Sequence, residues 1–133
     1  MKHLVGLILL VISQSSFACK CADRSEEQLF AAATDVVYVE IQTTEHQEHS
    51  QRSKSRVVAT YEIIEVFKLG EDSINAAEEP LHNCAPGFIA GRKYILYLAD
   101  DRYASRCNGS QLLLDHTDLG KEKLETLRRL STL

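Results

Sequence analysis

Arg56-Val57-Val58-Ala59-Thr60-Tyr61-Glu62-Ile63-Ile64-Glu65-Val66-Phe67 is the stretch on which the fold turns. It is rich in β-branched and aromatic residues, the side chains that suit a pleated surface. Val57, Ala59, Tyr61, Ile63 and Phe67 all fall on odd positions, so they share one face of an extended chain. A long, half-buried strand is expected. Upstream, Thr43 to Lys54 has no apolar residue and reads as a solvated loop. Before it, Val36-Val37-Tyr38-Val39-Glu40-Ile41 reads as a second strand. Still earlier, Ser25-Glu26-Glu27-Gln28 has the spacing of a capping box, with two acids in the first turn. The helix it opens should run through Leu29, Phe30 and Ala31-Ala32-Ala33 and end near Thr34.

Downstream, Leu69-Gly70 to Pro80 is acidic and turn-rich, and Cys84-Ala85-Pro86-Gly87 is a turn held by a cysteine. Gly91-Arg92-Lys93 leads into the strand Tyr94-Ile95-Leu96-Tyr97-Leu98. Asp100-Asp101 is a turn, Tyr103 to Cys107 a short strand, and Asn108-Gly109 a hairpin-type turn. From Thr117-Asp118 to Leu130 the spacing of Leu124, Leu127 and Leu130 predicts a helix. The fold class is therefore all-β with flanking helices. A five-stranded OB-fold-like barrel with one N-terminal and one C-terminal helix suits the size.

The N-terminus explains where such a domain works. Met1-Lys2-His3 is basic, Leu4 to Ile12 is an apolar run of nine residues, and Ser16-Phe17-Ala18 fits a small-residue cleavage site. Nine residues are too few to cross a bilayer, which takes about 20. Residues 1–18 are thus expected to be a signal peptide and 19–133 a single domain of 115 residues starting Cys19-Lys20-Cys21. Lipoprotein processing wants an aliphatic residue three before the cysteine; Ser16 stands there, so the amine of Cys19 is expected to be free. The domain would be secreted and extracellular, or periplasmic in a Gram-negative host. No second apolar run suggests a membrane span. Of 15 Lys and Arg residues only Lys2 lies in the signal, which leaves 14 against 19 Asp and Glu and a net charge of −5. That balance argues against a nucleic-acid partner.

All four cysteines, Cys19, Cys21, Cys84 and Cys107, fall in the mature part. In an exported chain an even count reads as two disulfides. Of the three pairings, joining Cys19 to Cys21 would close a small strained ring. Both remaining pairings tie the first three mature residues to the body of the fold through loops of more than 60 residues. The chain-entropy account assigns each such loop about 4 kcal/mol. Zinc knuckles space their cysteines as C-x(2–4)-C, which neither pair here does.

Other constellations are weak. His46 and His49 stand three apart in a polar stretch with no patterned helix, and Asp100-Asp101 and Asp115-His116 suit turns and caps. Asn108-Gly109-Ser110 is a glycosylation sequon in hosts that glycosylate. No nucleophile–base pair, metal-ligand set or phosphate loop is visible, so the chain is not read as an enzyme and no cofactor is expected.

A chain that begins Cys-x-Cys at a signal cleavage site resembles the inhibitory domain of the tissue inhibitors of metalloproteinases (TIMPs), within the netrin-like (NTR) group of OB-fold domains. Gln28-Leu29-Phe30 followed by Asp35-Val36-Val37 resembles the family's first helix and strand. Tyr61 to Gly70, with its Phe67-Lys68-Leu69-Gly70 ending, resembles the central strand, and Cys84, the Gly91–Leu98 strand and Cys107 follow in order. The resemblance covers roughly residues 19–130. It implies bridges Cys19–Cys84 and Cys21–Cys107, without the family's third bridge or second domain. It implies a monomeric inhibitor of zinc metalloproteases in which the Cys19 amine and carbonyl chelate the target's catalytic zinc. Lys20 would enter the main specificity pocket, Cys21-Ala22 would run along the cleft, and Cys84-Ala85 would flank it. Lys20 departs from the small Thr or Ser usual at that position. The alternative is a secreted, disulfide-stapled OB-fold protein-binding module with no inhibitory activity.

Overall fold

The computed structural model of the protein describes residues 19–48, 56–71 and 75–133. The expected signal at 1–18, the residues 49–54 of the expected loop and His49 itself lie outside the described residues. The chain is mostly β. Five strands, β1 (Asp35–Gln47), β2 (Arg56–Lys68), β3 (Ala76–Pro80), β4 (Lys93–Leu98) and β5 (Gln111–Leu112), form one antiparallel sheet in the order β3-β2-β1-β4-β5. The helices α1 (Glu26–Ala32) and α2 (Asp118–Ser131) stand at its two ends in sequence. The sheet is open, since its edge strands β3 and β5 do not pair with each other; one isolated parallel bridge, Glu78 to Tyr103, extends β3.

The capping box forms as its spacing predicts. The Gln28 amide donates to Ser25 Oγ at 3.2 Å, and the Ser25 amide donates to Gln28 Oε1 at 2.9 Å. The helix stops at Ala32, short of Thr34, because the Thr34 amide is already committed to the Leu98 carbonyl at 2.8 Å. β1 then runs through the middle of the sheet, paired with β2 on one side and β4 on the other. Alternation on β1 and β4 loads both faces. Val37, Val39, Ile41, Tyr94, Leu96 and Leu98 join one cluster; Val36, Tyr38, Ile95 and Tyr97 join the other, under α1 and α2. Leu124 and Leu127 of α2 are buried and Leu130 packs against them, as their spacing requires.

Four expectations need correction. β1 does not end at Ile41: Thr43 to Gln47 continue it, paired with β2 although they are mostly exposed. Backbone pairing, not burial, makes that segment a strand. The acidic stretch before Pro80 holds strand β3, because Arg56–Thr60 of β2 pair with it. Phe67 does not share a face with Tyr61; it packs in the second cluster. Register shifts between Val36/Val37 and Tyr38/Val39 intervene, and a slip of one residue moves side chains to the opposite face. Tyr103 to Cys107 is no strand: past its single bridge the chain turns into a 3-10 helix, Arg106–Asn108, capped by Ser105.

A buried polar network closes one end. Asp35 is 1% exposed; its carboxylate accepts from the Gly70 amide at 2.7 Å and from the Arg102 guanidinium. Arg102 also donates to the Tyr61 hydroxyl and, at 3.1 Å, to the Ala76 carbonyl. It holds a left-handed φ of 60° to do so. Burying an ion pair in this way costs desolvation that only such complete hydrogen bonding offsets. No helix among the described residues is long and apolar enough to cross a membrane.

Candidate functional site

The two disulfides run Cys19–Cys84 and Cys21–Cys107, each with Cα atoms 5.0 Å apart, and no described cysteine is free. They bring Cys19, Lys20, Cys21 and Ala22 against the turn at Cys84-Ala85 and against the 3-10 helix. Lys20, Cys21 and Ala22 are exposed, while Cys19, Cys84 and Ala85 are half-buried. Lys20 makes no hydrogen bond or ion pair to any described residue.

Both anchors are stiff, and each for a local reason. On the Cys107 side, the Ser105 hydroxyl accepts from the Cys107 amide at 3.1 Å, and Asn108 returns the favour by accepting from the Ser105 amide at 3.0 Å. Gly109 follows at φ 102°, where a Cβ would stand 2.9 Å from the Tyr97 ring. Only glycine fits both the backbone and the ring. The Arg24 guanidinium donates to the Cys107 carbonyl at 2.7 Å, which fastens the N-terminal segment a second time. The Arg106 amide donates to the Cys84 carbonyl at 2.8 Å, so the two anchors are tied to each other.

On the Cys84 side the turn is pinned from inside the domain. Glu79 of β3 is 4% exposed, and its two oxygens accept from the amides of Gly87 and Phe88, each at 2.8 Å. The Tyr94 hydroxyl donates to the Gly87 carbonyl at 2.6 Å and accepts from the Ile89 amide at 3.0 Å. Phe88 closes edge-on against the Tyr94 ring, with centroids 5.2 Å apart. None of Arg24, Glu79, Tyr94 or Ser105 stood out in the sequence as a site residue. Glu79 had one available signal: it follows Ala77 by two and so shares its inward face once β3 is recognised.

Burial raises the Glu79 carboxyl above its ordinary value, against the two amides, which pull the other way. A folded-state acid that is harder to ionise favours folding most when protonated. Its contribution is therefore present at acid pH and is lost as pH rises through the shifted titration. We expect the stability of the natural protein, relative to Glu79→Gln, to decline between about pH 4 and about pH 7. Urea unfolding at both pH values measures the gap; a gap that does not move contradicts the assignment.

The remaining candidates separate. His46 lies exposed on the outer end of β1, away from any described cluster of ligands. Asp100 and Asp101 serve turns: Asp100 accepts from the Thr34 hydroxyl and Asp101 from the Tyr103 amide. Asp115 accepts from Lys93 Nζ and the Tyr38 hydroxyl, both at 2.8 Å, and these hydrogen bonds hold its carboxyl below the usual range. The sulfurs of Cys19, Cys21 and Cys107 lie within 4.8 Å of one another. Each is half of a disulfide, so none is the thiolate that ligates zinc. The site has the character of a rigid, surface-borne peptide edge. No family model matches the chain, and no curated protein matches it.

Proposed function

We propose that the mature chain is a secreted inhibitor of zinc metalloproteases, of TIMP-like, netrin-like type, with Cys19 as its first residue. The observation that carries the reading is the fixing of Cys19-Lys20-Cys21 by two bridges while Lys20 stays exposed. The bridges follow the pairing that the resemblance implies. A catalytic zinc keeps three protein ligands and one replaceable water. The neutral α-amine of Cys19 and its carbonyl oxygen form a five-membered chelate that takes the water's place. Because the segment is already held at Cys84, Cys107 and Arg24, little conformational freedom is lost on binding. Cys21-Ala22 and Cys84-Ala85 then line the cleft on either side.

The finer fold reading, an OB-type barrel, belongs to the same proposal. The Glu78 amide donates to the Arg102 carbonyl at 2.9 Å, and the Ala104 amide donates to the Glu78 carbonyl at 2.7 Å. These two bonds join β3 to the chain just after β4 and support closure through Tyr103 rather than through β5.

Lys20 sets the target class. An ammonium driven into an apolar pocket without a partner is costly. The protease that suits this chain carries an acid in its main specificity pocket. The test is a titration of purified mature protein, and of Lys20→Thr, against zinc proteases with acidic and with apolar pockets. The natural chain is expected to favour the acidic set. Lys20→Thr should gain at least about tenfold on the apolar set, ~1.4 kcal/mol, and lose on the acidic one. Absence of inhibition by either form across both sets sinks the proposal and leaves the plain binding module.

A further inference from the structure

The two disulfides are packed against each other. Cys19 Sγ lies 3.4 Å from Cys107 Sγ and 3.6 Å from Cys21 Sγ, which are the two ends of the other bridge. All of these sulfurs are in disulfides, so the approach is van der Waals contact between bridges and not hydrogen bonding. We infer that the sulfur cluster is a thiol–disulfide exchange centre, in which a low-molecular-weight thiol interconverts the observed pairing with the crossed one, Cys19–Cys107 and Cys21–Cys84.

The chemistry balances without net oxidation or reduction. The thiolate of the small molecule attacks Cys84 Sγ; a mixed disulfide forms at Cys84 and the Cys19 thiolate departs. That thiolate is released in contact with the second bridge. Rotation of the Cys19 side chain, no longer tied to Cys84, brings it from beside the Cys21–Cys107 bond into line with it. Displacement then needs an approach along the S–S axis through a mixed-disulfide step. Attack on Cys107 Sγ forms Cys19–Cys107, breaks Cys21–Cys107 and frees the Cys21 thiolate. Attack on Cys21 Sγ instead would close the strained ring between near neighbours. Cys21, which is exposed, next attacks Cys84 of the mixed disulfide and expels the small thiolate unchanged. The thiol is therefore a catalyst, and Cys84 is the residue it modifies on the way.

Chain entropy does not oppose the exchange. Cys19 and Cys107 are 88 residues apart and Cys21 and Cys107 are 86 apart, so the two loops cost the same to close. Local geometry then decides, and it leaves Cys19 Sγ in contact with the second bridge, one side-chain rotation from in-line attack. The Ser105, Asn108 and Arg24 hydrogen bonds hold Cys107 still while its partner changes. The exchange is independent of the inhibitor reading.

The test uses the mature, folded protein with a tenth of an equivalent of glutathione at mildly alkaline pH, quenched with acid over time and mapped without reduction. The crossed bridge Cys19–Cys107 is expected to appear, together with Cys21–Cys84, while no molecule carries four free thiols. A map that keeps only the starting pairs overturns the inference. Cys84→Ala gives a second reading with no reductant at all. Its single thiol should be found by alkylation on both Cys19 and Cys21, within about tenfold of each other. A label on Cys19 alone contradicts the exchange. If Cys84→Ala does not fold, the map of the natural protein decides.

Discussion

A variant that keeps one extra residue, Ala18, ahead of Cys19 is expected to fold, to form both bridges, and to lose protease inhibition by at least about a hundredfold, ~2.7 kcal/mol. The bridges do not depend on the N-terminus. They depend on the Cys84 turn, held by Glu79 and Tyr94, and on the Cys107 turn, held by Ser105 and Asn108. The extra residue converts the α-amine of Cys19 to an amide and moves the free amine one residue away from the Cys19 carbonyl, which breaks the five-membered chelate. An amide nitrogen has no basic lone pair for a metal, so the chelate is gone. The same logic gives a pH dependence. An ordinary α-amine titrates at about 7.7–8.0, and only the neutral form binds zinc. Inhibition by the mature chain should weaken as pH falls below that range. Inhibition curves for the two forms against one protease measure the effect; equal potency removes the zinc chelate from the account.

Replacing Cys21 and Cys107 together by alanine should lower stability by about 4.5 kcal/mol. The bridge spans 86 residues, and its chief effect is to restrict the unfolded chain. The ordinary reserve of a single domain is about 5–15 kcal/mol, so the variant loses a large share of it. Urea unfolding reads the change as a lower midpoint. A loss under about 1 kcal/mol would mean that the N-terminal segment is held by Arg24 and the remaining bridge alone, and that the second staple contributes little.

Local signals carried much of the fold. Ser25 and Gln28 start α1, Thr117 caps α2, and Leu124, Leu127 and Leu130 give its buried face; each is set by residues within a turn or two. The strand centred on Tyr61 and the strand from Tyr94 to Leu98 were legible because burial and backbone preference agree there. What escaped was decided at long range. Ala76-Ala77-Glu78-Glu79-Pro80 has poor strand-forming side chains, and pairing with β2 overrides them. Thr43 to Gln47 bury little and follow β2 for the same reason. Phe67 changed face because of register shifts that no local pattern announces. At the candidate site, cysteine order and the cleavage pattern pointed to the N-terminal edge. The inward-facing Glu79 that braces the Cys84 turn did not, since its partners are backbone amides that any residue could supply.

Entry of the Cys19 amine into a protease's metal sphere is reported directly by a cobalt-substituted zinc protease. Cobalt(II) in the catalytic site absorbs visible light in a way that depends on its ligands. Mature protein added in one equivalent to a protease it inhibits should shift the absorption bands, as nitrogen and oxygen of Cys19 replace the bound water. The Ala18-extended form should leave them unchanged. Unchanged bands with the mature chain bound would contradict zinc chelation outright.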